Sequence, residues 1–358
     1  MRRGAIFVAA VAFLSAATGS DVDACKTGIS KGAIAIKGMK SAYLAGSGGD
    51  VQGDKLSIRH NSGFSVLSSC EEDWKPEAIA QFKLLGKMMS FTVDLSKVGC
   101  ACNLAFYLIS MPARNSNGDY NRGSNRQGQP PYYCDANMVG GQWCPEIDIM
   151  EANDHAFQST PHSCDSPMNG HYSQCDRVGC SQNTRNIVGS YGPGGEYRID
   201  TTHPFEVRTE FLEDDGMLTG MRTILVQRGR RVVLSHLTCD VAYLAKLTDA
   251  LSDGMSLRIT YWGQSASTMA WLDAPPCHRE ACMGSHAGEA IISNITVSDL
   301  EDVPPVSDHR SDDGAQDGSL DASAGKDSEK HRWVSDPWAP WKCHHYVGNQ
   351  QETRGCGR

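Results

Sequence analysis

The sequence predicts an all-β fold, a sandwich of antiparallel strands. Several separate segments carry the β-branched and aromatic content of strands, and Gly, Asn, Asp and Pro separate them. Only one segment reads as a helix. No regular strand–helix alternation appears, which speaks against a βαβ fold.

The strands follow in chain order. Residues 55–60 form the first. In 81–95, Phe91, Val93 and Leu95 alternate with Ser90, Thr92 and Asp94. Residues 103–111, 205–213, 221–227, 231–237, 255–262 and 290–297 complete the set. The helix starts where Asp240 can cap it, and Val241, Leu244, Ala245, Thr248 and Leu251 share one face. No internal repeat is visible.

The chain has 358 residues with a net charge of −9, so a basic nucleic-acid surface is not expected. At 40% hydrophobic and 21% charged residues it can bury a core, which excludes wholesale disorder. Residues 1–20 read as a secretory signal peptide. Arg2 and Arg3 supply the positive end, 5–14 are apolar but too short to span a bilayer, and small residues follow at Ala16 to Ser20. The rival reading is a membrane anchor. The expected location is therefore extracellular, with no membrane partner after cleavage. Fourteen cysteines fit that compartment and allow up to seven disulfides. They form no paired CxxC knuckles, so a zinc ribbon is not expected. No phosphate-binding glycine motif appears.

Residues 21–300 form the predicted body, and 301–329 read as an acidic linker with Pro304-Pro305 and no apolar period. Residues 330–358 form a small tail with Trp333, Trp338, Trp341, Tyr346, Cys343 and Cys356. Its aromatic rings fit a carbohydrate-binding element closed by a Cys343–Cys356 bridge, or an amphipathic tail that docks on the body.

The segment Cys144-Pro-Glu-Ile-Asp-Ile-Met-Glu-Ala-Asn153 carries the chemistry. Glu146 and Asp148 alternate with Ile147 and Ile149, the pattern of a half-buried strand. Glu151 stands five residues after Glu146, so a regular strand would point it to the opposite face. One β-bulge at Ile149 or Met150 would return it to the acidic face. The spacing alone is weak, and a solvated acidic face is the bland alternative. Three carboxylates packed together must share protons or hold a ligand. Two of them can act as nucleophile and acid in a retaining glycosidase, with the third sharing a proton with the nucleophile. A metal site is the rival, but a calcium loop needs a glycine-bearing turn that this strand lacks. No metal and no cofactor are expected.

Glu146 to Asn153 closely resembles the catalytic strand of glycoside hydrolase family 7, the cellobiohydrolase I and endoglucanase I group of cellulases. Ordered matches extend over about residues 54–300. They include Phe82 to Gly86 with Phe91 to Asp94, Asn103 to Met111, Tyr133 to Asp135, Thr160 to Cys164, Cys175-Asp176, Gly179-Cys180 and Tyr191 to Gly194. Asp200 to Thr202, Asp215-Gly216, Trp262, Met269 to Asp273, Arg279 with Cys282, and Ser293 to Ile295 follow.

The resemblance implies a concanavalin-like β-jelly-roll sandwich of two curved antiparallel sheets. It implies hydrolysis of β-1,4-glucan, chiefly cellulose, with retention. Glu146 resembles the nucleophile, Glu151 the acid/base, Asp148 the carboxyl that tunes Glu146, and His162 the histidine beside the acid/base. Trp262 and Trp271 resemble cleft tryptophans, and Asn103, Tyr107, Tyr133, Asp135 and Arg279 resemble polar cleft residues. Matched cysteines imply pairs Cys100–Cys282, Cys134–Cys144, Cys164–Cys175 and Cys180–Cys239. Cys25, Cys70, Cys102 and Cys277 have no assigned partner. Asn294-Ile-Thr296 is a glycosylation sequon that a strand would obstruct.

The departures concern length and loops. The family's cysteine-rich N-terminal stretch has no counterpart, Met150 replaces a tryptophan, Trp143 replaces a cysteine, and only fifteen residues separate Cys164 from Cys180. A more open cleft and cleavage within chains are therefore expected. The sequence reading is a secreted retaining β-1,4-glucanase acting as a monomer on a polysaccharide. Mixed-linkage β-glucan or xylan is the alternative substrate, and a lectin-like protein with lapsed catalysis is the alternative class.

Overall fold

A computed structural model describes residues 25–123, 128–236, 238–300, 331–336, 339–347 and 350–355. The predicted signal peptide, the predicted linker and Cys356 lie outside the described residues. The chain divides into two compact units, 1–307 and 308–358.

In the first unit the strands are Ser30–Ala33 (β1), Tyr43–Gln52 (β2), Lys55–Leu67 (β3), Lys87–Asp94 (β4), Cys102–Ile109 (β5), Glu146–Ala152 (β6) and Phe157–His162 (β7). Gln182–Asn183 (β8), Tyr191–Gly192 (β9), Ile199–Asp200 (β10), Phe205–Asp214 (β11), Met217–Gln227 (β12), Arg230–Leu234 (β13), Ser256–Gly263 (β14) and Ala290–Asp299 (β15) complete them. Apart from a small parallel pair, β9 with β10, they join in one antiparallel path. Its order is β13-β12-β11-β4-β15-β3-β14-β5-β6-β7-β8, with β1 and β2 attached beside β3.

The long strand β3 lets this path fold back on itself. Its first half pairs with β15 through Leu56 and Ile58, and its second half pairs with β14 through Ser62 to Ser65. Asn61 between them has a φ of 60°. Opposite this corner, β2 is rich in glycine because the backbones approach closely. A Cβ on Gly46 would stand 2.0 Å from the carbonyl oxygen of Gly63.

The two halves pack as a sandwich. Met89, Phe91 and Val93 of β4 and Val207 and Phe211 of β11 share one core with Leu104, Phe106 and Leu108 of β5 and Ile147 of β6. The Phe91 and Phe106 rings stack across it, 3.9 Å apart between centroids. Replacing Phe106 by Ala would cost about 3–5 kcal/mol. The all-β jelly-roll expectation therefore holds, with one continuous curved ladder in place of two separate sheets. On the other face of β5, Ala105, Tyr107 and Ile109 form a second cluster with Met111, Ala113, Tyr133, Cys134 and Cys144 of the following loop. That loop covers part of the face that carries the acids.

The helical content differs from expectation. Asp240 does cap a helix, accepting from the Ala242 N–H at 3.0 Å, but two short helices follow, Val241–Ala245 (α1) and Thr248–Asp253 (α2). A third, Ala266–Asp273 (α3), starts from a capping box in which Ser265 and Thr268 bond reciprocally. Trp271 therefore sits on a helix.

Six disulfides form within residues 25–300: 25–70, 100–277, 102–282, 134–144, 164–175 and 180–239. The expected Cys100–Cys282 pair is not formed. Cys102 lies opposite Gly263 in the β5–β14 ladder, and Gly263 leads directly into the turn bonded to Cys282. This register gives Cys282 to Cys102 and leaves Cys100 to Cys277. The sequon is open: Asn294 is exposed at a register shift of β15.

The second unit holds a three-stranded antiparallel sheet, His331–Asp336 (β16), Ala339–Val347 (β17) and Gln350–Gly355 (β18), in that order.

Candidate active site

Strand β6 carries the expected bulge. Asp148 pairs with Tyr107 and Met150 with Phe106, so Ile149 is the extra residue. Ile147, Ile149 and Met150 enter the main core. Glu146, Asp148 and Glu151 lie opposite Ile109, Tyr107 and Ala105, all on the loop-covered face. Without the bulge, Glu151 would face the core, where an ionised carboxyl is far too costly.

Glu146 is 6% exposed and accepts the backbone N–H of Ala136 at 3.0 Å. Burial, then Asp148 and Asp135, push its carboxyl well above the usual range. Asp148 is equally buried, and burial followed by the charge of Asp135 raises it too. His162 lies 3.1 Å from Asp148 through Nε2, and its Nδ1 is 2.8 Å from the Asp176 carbonyl oxygen. A carbonyl only accepts, so Nδ1 carries a hydrogen. The contact between Nε2 and Asp148 Oδ2 therefore needs one more hydrogen, carried by either atom. His162, expected beside Glu151, thus makes its direct bond to Asp148.

Glu151 differs. It is half-buried and accepts from Asn103 Nδ2 at 3.0 Å. Burial, then Asp148, lift it to about 8. At neutral pH it holds its proton, the condition of a general acid.

The other expected site residues divide in two. Tyr107 and Tyr133 are buried with hydroxyls 3.1 Å apart. Asp135 is buried beneath them and accepts the N–H groups of Asn137 and Val139, and its charge acts on both Glu146 and Asp148. These three support the acids. Trp262 and Trp271 are 40% and 37% exposed, with rings stacked 6.4 Å apart at 26°. Both indoles therefore present part of a flat apolar face to solvent. Arg279 is exposed on the turn between Cys277 and Cys282, where its N–H meets the Glu280 carboxylate at 2.9 Å. Its described contacts do not reach the acids.

Asn153 and Asp273 are supporting residues whose part the sequence did not disclose. Asn153 Nδ2 donates to the Cys102 carbonyl and to Asp273, while its oxygen accepts from His155 and Ala156. Asp273 also accepts the Ala101 N–H. Together they fasten the end of β6 to the helix that carries Trp271. Arg258, buried on the same face, was also missed. Its alternation with Leu257 and Ile259 was the available signal.

Glu146, Asp148 and His162 also offer three donor atoms within 4.8 Å of one another, a possible metal set. The hydrogen bond between His162 and Asp148 is the alternative use of the same atoms. The other compact set among the described residues includes Cys100 and Cys277, which are joined in a disulfide.

The model of the family "Glycosyl hydrolase family 7" matches residues 71–140 and 137–243. Endoglucanase 1 of Humicola insolens is 31% identical over 265 residues, covering 59% of this chain and 63% of the relative. Endoglucanase EG-1 of Trichoderma longibrachiatum is 29% identical over 281 residues, 66% of this chain and 58% of the relative. The chain thus spans 58–63% of the length of these two relatives. Among solved structures, the Humicola insolens endocellulase EGI superimposes with a TM-score of 0.56 at 22% identity, over 71% of this chain and 78% of that one. A family 7 cellobiohydrolase from Daphnia pulex gives 0.55 at 20%, over 70% and 80%. At these identities the structures show a common fold.

Proposed function

This chain belongs to glycoside hydrolase family 7, and on that premise we propose that it is a secreted, retaining β-1,4-glucanase that cuts within cellulose chains. The observation that carries the proposal is the bulge at Ile149, which brings three carboxylates, two buried and one half-buried, onto one face.

The chemistry follows from that arrangement. Protonated Glu151 delivers its hydrogen to the glycosidic oxygen as the bond to the anomeric carbon breaks. Glu146 forms the new bond to that carbon. Its near-complete burial and its backbone N–H partner fit a group that bonds to the sugar and leave little room for a water to be activated. The hydrogen bond between Asp148 and His162 weakens, without abolishing, the repulsion of Glu146 by Asp148 while Glu146 is ionised. Glu151, now ionised, takes a proton from water, and the resulting hydroxide displaces Glu146 with a second inversion.

Internal cleavage is supported by the endoglucanase relatives and by the short stretch between Cys164 and Cys180. Secretion is supported by the N-terminal sequence and the disulfides. The tail is proposed as a sugar-binding element on its aromatic content alone.

The test is hydrolysis of soluble and crystalline cellulose, mixed-linkage glucan and xylan, with product anomers followed by NMR. The expected result is fastest release from cellulose derivatives, a rapid viscosity drop, and the β-anomer first. Binding of glucan without release would favour a lectin, and first appearance of the α-anomer would remove Glu146 as nucleophile.

A further inference from the structure

A buried cation on the acid-bearing face is not used by the chemistry above. Arg258 on β14 stands in register with Tyr107 on β5, which stands in register with Asp148 on β6. On its other side Arg258 pairs with Ser65 of β3. A polar row thus crosses four strands: Ser65, Arg258, Tyr107, Asp148. At ~4.8 Å per strand, Arg258 stands about 10 Å from Asp148.

The side chain is 4% exposed. A guanidinium has five N–H donors. Nη1 donates to Ser65 Oγ at 3.0 Å, Nη2 donates to half-buried Gln129 at a long 3.3 Å, and the guanidinium also acts on the Tyr107 hydroxyl, which leaves donors over. The group lies 5.6 Å from the centre of the Tyr133 ring. Nε is enclosed with no partner. No carboxylate among the described residues forms an ion pair with it. Room for it depends on Gly63, where a Cβ would stand 3.2 Å from Nη2.

Burying an unpaired cation with spare donors is costly. A sandwich of this kind could fill the position with an aliphatic side chain, as it does at Leu257 and Ile259 on the opposite face. The spare donors therefore point to a ligand that supplies oxygen acceptors.

We propose that Arg258 is a substrate-binding residue. Its guanidinium donates to hydroxyl oxygens of a glucan unit about two strands from the bond being cut, in place of its long contact to Gln129. The identity of the sugar rests on the glucanase reading. The Tyr133 ring holds the guanidinium plane, and Ser65 fixes one edge of it.

The test uses the full chain. Aryl glycosides of cellobiose, cellotriose and cellotetraose are compared between wild type, Arg258→Met and Arg258→Lys. The expected loss in kcat/KM grows with chain length, at least tenfold larger on the longest substrate than on the shortest, and lies mainly in KM. Arg258→Lys recovers part of it. Calorimetry of cellotetraose binding to Glu146→Gln, with and without Arg258→Met, should show Kd rising tenfold or more. Equal Kd values would overturn the proposal and leave the glucanase reading intact. A loss uniform over all three substrates, also in an Arg258→Lys protein of native Tm, would mark a structural role and overturn it too. Failure of wild type to cleave any of these glycosides would end the glucanase reading, while the calorimetry would still decide Arg258.

Discussion

The two ends of β6 hold the same kind of side chain in different surroundings. At the first end, Glu146 and Asp148 are buried beside a third acid, Asp135, and next to His162. At the other, past the bulge, Glu151 is half-buried with one amide partner, Asn103. Burial raises the carboxyls at both ends. What differs is the neighbourhood. At the first end two neighbouring acids, Asp148 and Asp135, act on Glu146, and His162 bonds to one of them. The second keeps its proton to itself. A single inserted residue separates the surroundings of the proposed nucleophile from those of the proposed acid.

The sharpest way to break this contrast is to remove one carboxyl from each end. Glu146→Gln should lower hydrolysis of every substrate on the order of 10⁴-fold or more. Glu151→Gln should cost about 10²–10⁴-fold on cellulose. It should cost far less in the first step with an aryl glycoside whose leaving group needs no proton. Rapid-quench measurement of that first step separates the two variants, and equal losses would mean that the ends are not specialised.

Asp148→Asn probes the coupling and should cost about 10–10³-fold. Asp148 raises both Glu146 and Glu151. Removing its charge should therefore move both limbs of the pH–rate profile to lower pH, the Glu146 limb more. Unmoved limbs would disconnect Asp148 from both acids.

The raised carboxyls also set stability. Glu151 titrates near 4.5 when unfolded and at about 8 when folded. Between those values the folded state binds more protons, so stability falls as pH rises across that window. Tm should be highest in mild acid and decline towards pH 8, with a shallower decline for Glu151→Gln. A flat profile in both proteins would show that these carboxyls carry no linkage.

The acid-bearing strand was legible because its pattern breaks a rule. Acids at an odd offset among large apolar residues require a bulge, and Ile149 provides it. The strands that alternate cleanly, such as β4, were legible for the same local reason. Strands β2 and β7 were not, because Tyr43–Gln52 is rich in glycine and Phe157–His162 carries Ser, Thr and Pro, residues whose place in a sheet is decided by neighbours. Trp271 depended on a capping box that is evident only once Ser265 and Thr268 meet. Cys100 and Cys102 are two residues apart, and only the β5–β14 register selects their partners. Arg258 looked like an ordinary polar strand position until its burial, with no acidic partner among the described residues, was visible.

The smallest effect tests whether the two ends titrate separately. Asn103 donates to Glu151 and favours its charged form. In Asn103→Ala that donor is gone, so Glu151 should hold its proton to higher pH. The high-pH limb of kcat/KM should move up by a fraction of a unit from about 8, while the low-pH limb, set by Glu146, stays in place. The direction is decisive because a general loosening of the site would admit water, lower the Glu151 pKa and move that limb down. A shift of both limbs together would show that the proton on Glu151 belongs to the same coupled set as Asp148 and His162, and that the bulge divides the strand in shape but not in charge.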